Sequence, residues 1–168
     1  MSIPMELVSG VIGALIGGGF TVAGSWVSIH KQFKEQRKLS FEQEQKQQLT
    51  AIFSVHEEVM HNLKVLQRID SIIESHNEKF LDFSEANAQI SFMINRWEKH
   101  FDTLRMMDSL KDFRTLNNFY TLLSVTISIN YITHEATLTL LEEGNKSDIV
   151  LKAYQNFVSK KNQYWKDV

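Results

Sequence analysis

With 168 residues the chain has room for one domain of ordinary size with a core of its own, and not for two. Its formal net charge is -2, from 18 basic and 20 acidic side chains, so no global field draws it to nucleic acid or to an anionic bilayer. The absence of cysteine removes disulfides, thiolate zinc sites and a cysteine nucleophile at once, and the single proline, Pro4, leaves the rest of the chain without a strong helix breaker.

Between Glu6 and the pair His30 and Lys31 lies a stretch from Leu7 to Ile29, 23 residues without a charged side chain. As a helix it reaches about 34 Å, slightly more than a hydrocarbon thickness of about 30 Å, so it predicts a transmembrane helix over residues 1–30. A secretory signal would need a basic leader and a shorter apolar core, and Met1 to Glu6 carries no Lys or Arg. Lys31, Lys34, Arg37 and Lys38 follow the span and no basic residue precedes it. The positive-inside rule therefore puts the N-terminus outside and the rest of the chain in the cytoplasm, as expected of a single-pass protein of the cell's inner (plasma) membrane. Trp26, one turn before the basic cluster, is placed to sit among the headgroups, so Trp26, Lys31, Lys34, Arg37 and Lys38 are the expected interface residues.

Six of the seven glycines fall in this segment, at Gly10, Gly13, Gly17, Gly18, Gly19 and Gly24. Each costs a helix about 1 kcal/mol relative to alanine, so their concentration needs a reason. Gly10, Gly13, Gly17 and Gly24 share one helical face, and Gly13 with Gly17 forms a GxxxG step. Ala14, Gly18, Ser25 and Ser28 line a second, adjacent strip. In lipid, helices associate through close backbone approach that small residues permit. Gly10, Gly13, Gly17, Gly18 and Gly24 are accordingly the expected oligomerisation residues, one small face pointing to a dimer and two to a ring.

Residues 31–48 are basic and then strongly polar, rich in helix formers and free of turn residues, so the membrane helix is expected to continue through them. From Leu49 a cytoplasmic bundle is expected over 49–168. Its first helix places Ile52, Val59, Leu66, Ile73 and Phe80 at heptad spacing, with Leu49 and Leu63 on a neighbouring row that His56 and Asp70 interrupt. A globular helix face explains this pattern better than a coiled-coil stalk. Ser84 is a plausible cap for a second helix with Ile90, Met93, Trp97, Phe101 and Leu104 on one side. Asp108 or Ser109 would start a third, carrying Leu110, Phe113, Leu116, Tyr120, Leu123 and Ile127. The Thr- and Ile-rich stretch from Val125 to Leu141 has weak helix propensity but no turn dipeptide, and is read as helix. Gly144 with Asn145 would end that element and Ser147 begin a last helix through Val150, Tyr154, Phe157, Val158 and Trp165. The fold class is all-α, a single N-terminal transmembrane helix continuing into a bundle of about four helices.

Chemistry is sparse. His56, Glu57 and His61 fail as a zinc-protease motif, because histidines five positions apart are turned by about 500° and diverge. Glu58 and His61 have the Glu-x-x-His spacing of di-iron bundles, but no second copy exists. No strained nucleophile elbow surrounds a serine, and no glycine-rich loop is left to cradle phosphate. Arg96 and His100 form an Arg-x-x-x-His step, one residue short of the arginine-histidine spacing of HEPN ribonucleases, and Arg68 with His76 overshoots it. Arg96 and His100 are read as exposed neighbours at i and i+4 on a helix. No catalytic residue, metal ligand or cofactor is expected.

A glycine-rich N-terminal span, a short basic stop and a small helical cytoplasmic bundle resemble the membrane accessory proteins of type VI-B, RNA-targeting CRISPR systems. The resemblance implies a degenerate HEPN-like bundle on an N-terminal membrane helix and a ring-shaped pore that aids antiviral defence. It carries over no catalytic residue. Prophage-encoded membrane proteins that block incoming phage share the outline. The expected partners are the lipid bilayer and further copies of the chain, with a cytoplasmic effector protein as a third candidate and no direct contact with nucleic acid. The expected function is a self-associating, pore-like membrane effector. A membrane-tethered adaptor and a divergent ribonuclease are the alternatives.

Overall fold

The computed structural model describes the backbone of residues 5–83, 90–106 and 110–164, and among these the side chains of 25–83, 90–106 and 113–156. The elements in chain order are α1 (Met5–His76), β1 (Phe80–Asp82), α2 (Asn95–Arg105), α3 (Leu110–Ile129), β2 (Tyr131–Thr133) and α4 (His134–Tyr164). The chain forms two compact units, Met1–Glu44 and Gln45–Val168. Among the described residues the first is helix alone, and the second is a helical bundle with one short ribbon.

Within the second unit the heptad row of α1 is core. Ile52, Val59, Leu66 and Ile73 are all buried, as is Leu63, in one cluster with Leu116, Phe119 and Leu123 of α3 and Leu140 and Leu151 of α4. Each such side chain contributes roughly 1.5–3 kcal/mol of hydrophobic stabilisation, which makes α1 the spine of the bundle. Phe80 does not extend the row. The helix stops at His76, where Asn77 adopts φ 54 and the Asn77 and Glu78 amides bond back to the Glu74 and Ile73 carbonyls. This is a Schellman cap with asparagine in the left-handed position, and it throws Phe80 out to solvent on β1.

Two expectations about the later helices are corrected. The stretch Val125 to Leu141 is not one helix: α3 ends at Ile129, Asn130 turns at φ 60, and Tyr131–Thr133 pairs antiparallel with Phe80–Asp82. Leu81 and Ile132 face each other across the ribbon and are buried, while Phe80 and Tyr131 meet on its outer side, ring centroids 6.5 Å apart. The β-branched run that weakened the helix thus finds a strand partner about 50 residues away in sequence. The all-α description holds for the bulk of the chain and fails at these six residues.

Gly144 and Asn145 do not end a helix either, for α4 runs unbroken through them. Gly144 is buried, and a Cβ there would stand 2.7 Å from Leu63 Cδ2 and 3.0 Å from a ring carbon of Phe119. The glycine is a point of close helix approach, where lack of a side chain outweighs poor helix propensity. Ser147, expected as a cap, is buried inside α4 and donates to the Glu143 carbonyl one turn back. The start of α4 is instead capped by Thr133, whose hydroxyl oxygen accepts the Ala136 amide. Likewise α2 begins at Asn95 and leaves 90–94 outside the helix, later than a cap at Ser84 would put it; Ser84, Asp108 and Ser109 lie outside the described residues.

Candidate functional site

The expected oligomerisation residues Gly10, Gly13, Gly17, Gly18 and Gly24 fall among side chains outside the described set, on backbone that is helical. Among the described residues no helix is long and apolar enough to cross a membrane; residues 7–24 of the uncharged stretch lie outside that set. The expected interface residues are described. Trp26 is exposed and its ring lies 4.3 Å from that of His30, one helical turn on. Lys31, Lys34, Arg37 and Lys38 are exposed as well. Lys31, Lys34 and Lys38 share a face by their spacing of three and four, so the helix carries an aromatic pair followed by a basic stripe.

In the second unit the chemistry gathers on α1 and the start of α2. Glu58 is 1 % exposed, yet its two carboxylate oxygens accept the amides of Arg96 at 2.8 Å and Trp97 at 2.9 Å. Those are orphan amides of the first turn of α2, whose own N-cap residue, Ile94, supplies no side-chain cap. A carboxylate of α1 therefore does the work of a local cap and meets the positive end of the helix. One turn on, buried Asn62 holds Met93 by both backbone groups, accepting its N–H at 2.9 Å and donating to its carbonyl at 2.7 Å. The two clamps fasten Met93 and the first turn of α2 to α1 and so set where α2 can begin.

Trp97, so anchored, stacks on Tyr120 with ring centroids 4.6 Å apart and planes 2° from parallel, and Phe101 and Phe113 complete the aromatic cluster. The Tyr120 hydroxyl is enclosed beside the Glu58 carboxylate without a well-formed hydrogen bond. Burial first, and then that negative charge, push its pKa far above the ordinary phenol value. An open groove of about 390 Å³ runs along this edge, lined by Trp97, Tyr120, Ser124, Val125, Ser128 and Ile129.

The Arg96 and His100 step lies next to this cluster, but its arginine is engaged. The guanidinium pairs with Glu57 and donates to the Ser54 carbonyl, fastening α2 to α1. His100 is held below its ordinary pKa of 6.5 by partial burial and then by Lys99 beside it. The other histidines divide among separate partners: His56 Nε2 meets Asp148 at 2.7 Å, and His61 Nε2 meets the Ser91 carbonyl at 2.9 Å. Asp148 also accepts from Lys152, and although burial raises its pKa, the bonds from Lys152 and His56 hold it below the usual carboxylate value. One group among the described residues has metal-ligand geometry, Asp70 and Glu74 of α1 with His134 of α4, their ligand atoms within 4.8 Å of one another.

Glu58, Asn62 and the Asp70 group were hidden from spacing rules because their partners lie elsewhere in the chain. A signal did exist for Asp70 and His56, since both interrupt the apolar row of α1. Compared with known proteins, the chain matches no family model, no curated protein and no solved structure.

Proposed function

We propose that the chain is a single-pass membrane protein that self-associates through its glycine-rich N-terminal helix and holds its bundle on the cytoplasmic side. The observation that carries this reading is the 23-residue uncharged stretch Leu7–Ile29, which holds six glycines and, in its last turn, Trp26, and is followed at once by His30 and the basic stripe. It is supported by the helical backbone from Met5 to His76 and by the exposure of the tryptophan and all four basic residues. Assembled copies would enclose or perturb a conduction path lined by Ser9, Thr21, Ser25 and Ser28. Such a path has no charged ring and would select poorly among ions. Membrane perturbation in antiviral defence is the form of this reading to which the resemblance to type VI-B accessory proteins points.

The test is crosslinking of the full chain in membranes with a Gly13→Leu, Gly17→Leu double variant, paired with dye release from liposomes. Loss of crosslinked oligomers together with loss of leakage is expected; unchanged oligomers would reject the interface. A passive tether for a cytoplasmic partner is the second reading, favoured by the exposed Val125 and Ile129 beside the groove under Trp97 and Tyr120. It predicts liposomes that stay tight. The ribonuclease alternative is disfavoured by the engagement of Arg96 with Glu57 and the Ser54 carbonyl.

A further inference from the structure

We infer that Asp70, Glu74 and His134 form a binding site for a divalent transition-metal cation of the zinc class, which ties the end of α1 to the start of α4. The three residues come from two distant segments, and local structure fixes each. Asp70 and Glu74 stand at i and i+4 on α1, one above the other on the same face. His134 is the first residue of α4, with Thr133 capping the helix behind it and its own amide donating to the Lys79 carbonyl at 3.3 Å. The chain is therefore pinned on both sides of the imidazole.

The donor atoms fit one ion. His134 Nε2 and Asp70 Oδ1 are 3.2 Å apart, and the Glu74 carboxylate joins them within 4.8 Å. Ligands about 2.0–2.2 Å from a four-coordinate zinc are separated from each other by about 3.4 Å, so the first pair already has the spacing of two ligands on one metal. The pairing of these two atoms is also incomplete. They face each other as an ion pair, sealed from solvent although their side chains are only partly buried, but the pair does not reach hydrogen-bond geometry. Enclosed polar atoms left in that state are costly, and a cation satisfies both. Glu74 is exposed, so the third ligand stands at the solvent edge, where water completes the coordination.

Imidazole with two carboxylates suits zinc, manganese or iron, and disfavours calcium and magnesium, which take oxygen ligands. The competing description is an ordinary Asp70–His134 ion pair with Glu74 turned to water. It differs in one respect that can be measured, since an ion pair has no affinity for metal.

The full chain in detergent, stripped with EDTA, is titrated with Zn²⁺ by calorimetry and with Co²⁺ by visible absorption. One ion per chain is expected, with a rise in melting temperature on zinc addition. Asp70→Asn and His134→Gln should each weaken binding at least tenfold, while His61→Gln, whose imidazole lies elsewhere, should bind as the parent does. Equal zinc affinity in Asp70→Asn, His134→Gln and parent, or no stoichiometric binding, would overturn the site. Should either variant lose its helical circular dichroism, the parent decides: intense Co²⁺ bands of a four- or five-coordinate ion support the site, and the weak spectrum of hydrated Co²⁺ rejects it.

Discussion

Single residues here act at a distance from their own element. Glu58 is the clearest, because its carboxylate supplies the cap that Ile94 cannot, and it does so from another helix. Removing it strands two amides in a buried place. Glu58→Ala is expected to lower unfolding stability by about 3 kcal/mol, and Glu58→Gln, which keeps one acceptor oxygen, by roughly half that. Thermal or urea unfolding followed by circular dichroism reads the difference; an unchanged midpoint for the alanine variant would mean that the cap contributes nothing. Gly144 is the second case. At an open helical position glycine to alanine stabilises by about 1 kcal/mol, whereas overpacking a core costs about 1–3 kcal/mol. With Leu63 Cδ2 at 2.7 Å from the new methyl, packing wins, and Gly144→Ala should destabilise by about 1 kcal/mol. Stabilisation instead would show that Leu63 and Phe119 move aside freely.

At the scale of elements, α1 and α4 meet along an antiparallel seam with three named contacts. His56 meets Asp148, Leu63 lies under Gly144, and Asp70 meets His134. The outer two contacts are 14 residues apart on both helices, two heptads, as antiparallel neighbours require. Polar interruptions of an apolar row thus mark the register of the seam. They also make it sensitive to acid. The Asp148 pKa is lower folded than its ordinary 3.8, so the ionised form stabilises the fold above that value, and the contribution disappears as pH falls below 3.8 through the folded-state value. His100 acts in the same direction higher up. Its folded pKa lies below 6.5, so the unfolded chain takes up the proton first and stability declines as pH drops below 6.5. Unfolding free energy measured against pH should therefore fall in two stages, and Asp148→Asn should remove most of the lower one. A variant that kept the full slope below pH 3.8 would assign that slope to other carboxylates.

For the whole molecule, orientation is the quantity that follows from charge, and the cysteine-free chain makes it measurable. With Lys31, Lys34, Arg37 and Lys38 all on one side of the uncharged stretch, a cysteine placed by Ser2→Cys should react with a membrane-impermeant maleimide in intact cells. One placed by Asn145→Cys, exposed on α4, should react only after permeabilisation. The reverse pattern would reject the proposed topology, and labelling of both in intact cells would reject the span.

Much of the bundle was legible before any coordinates. Periodicity alone marks Ile52, Val59, Leu66 and Ile73 as one buried face, and Leu116, Tyr120 and Leu123 as another, because burial on a helix repeats at the spacing of its turns. Charge and glycine spacing likewise single out the N-terminal stretch and its basic stripe. What periodicity could not reach were the positions where the partner is remote. A left-handed asparagine at 77 or 130 looks like any other helix residue until the chain turns there, and three residues of Tyr131–Thr133 become a strand only because Phe80–Asp82 lies alongside. Gly144 reads as a stop signal in sequence and as a contact in space. The sequence by itself determined a helical protein with an uncharged, glycine-rich first segment, since those properties are set by neighbours within a few turns. Only the tertiary structure decided where the helices break, what caps α2, and that Asp70, Glu74 and His134 stand together, since hydrogen bonds and ligand sets are satisfied in space without regard to distance along the chain.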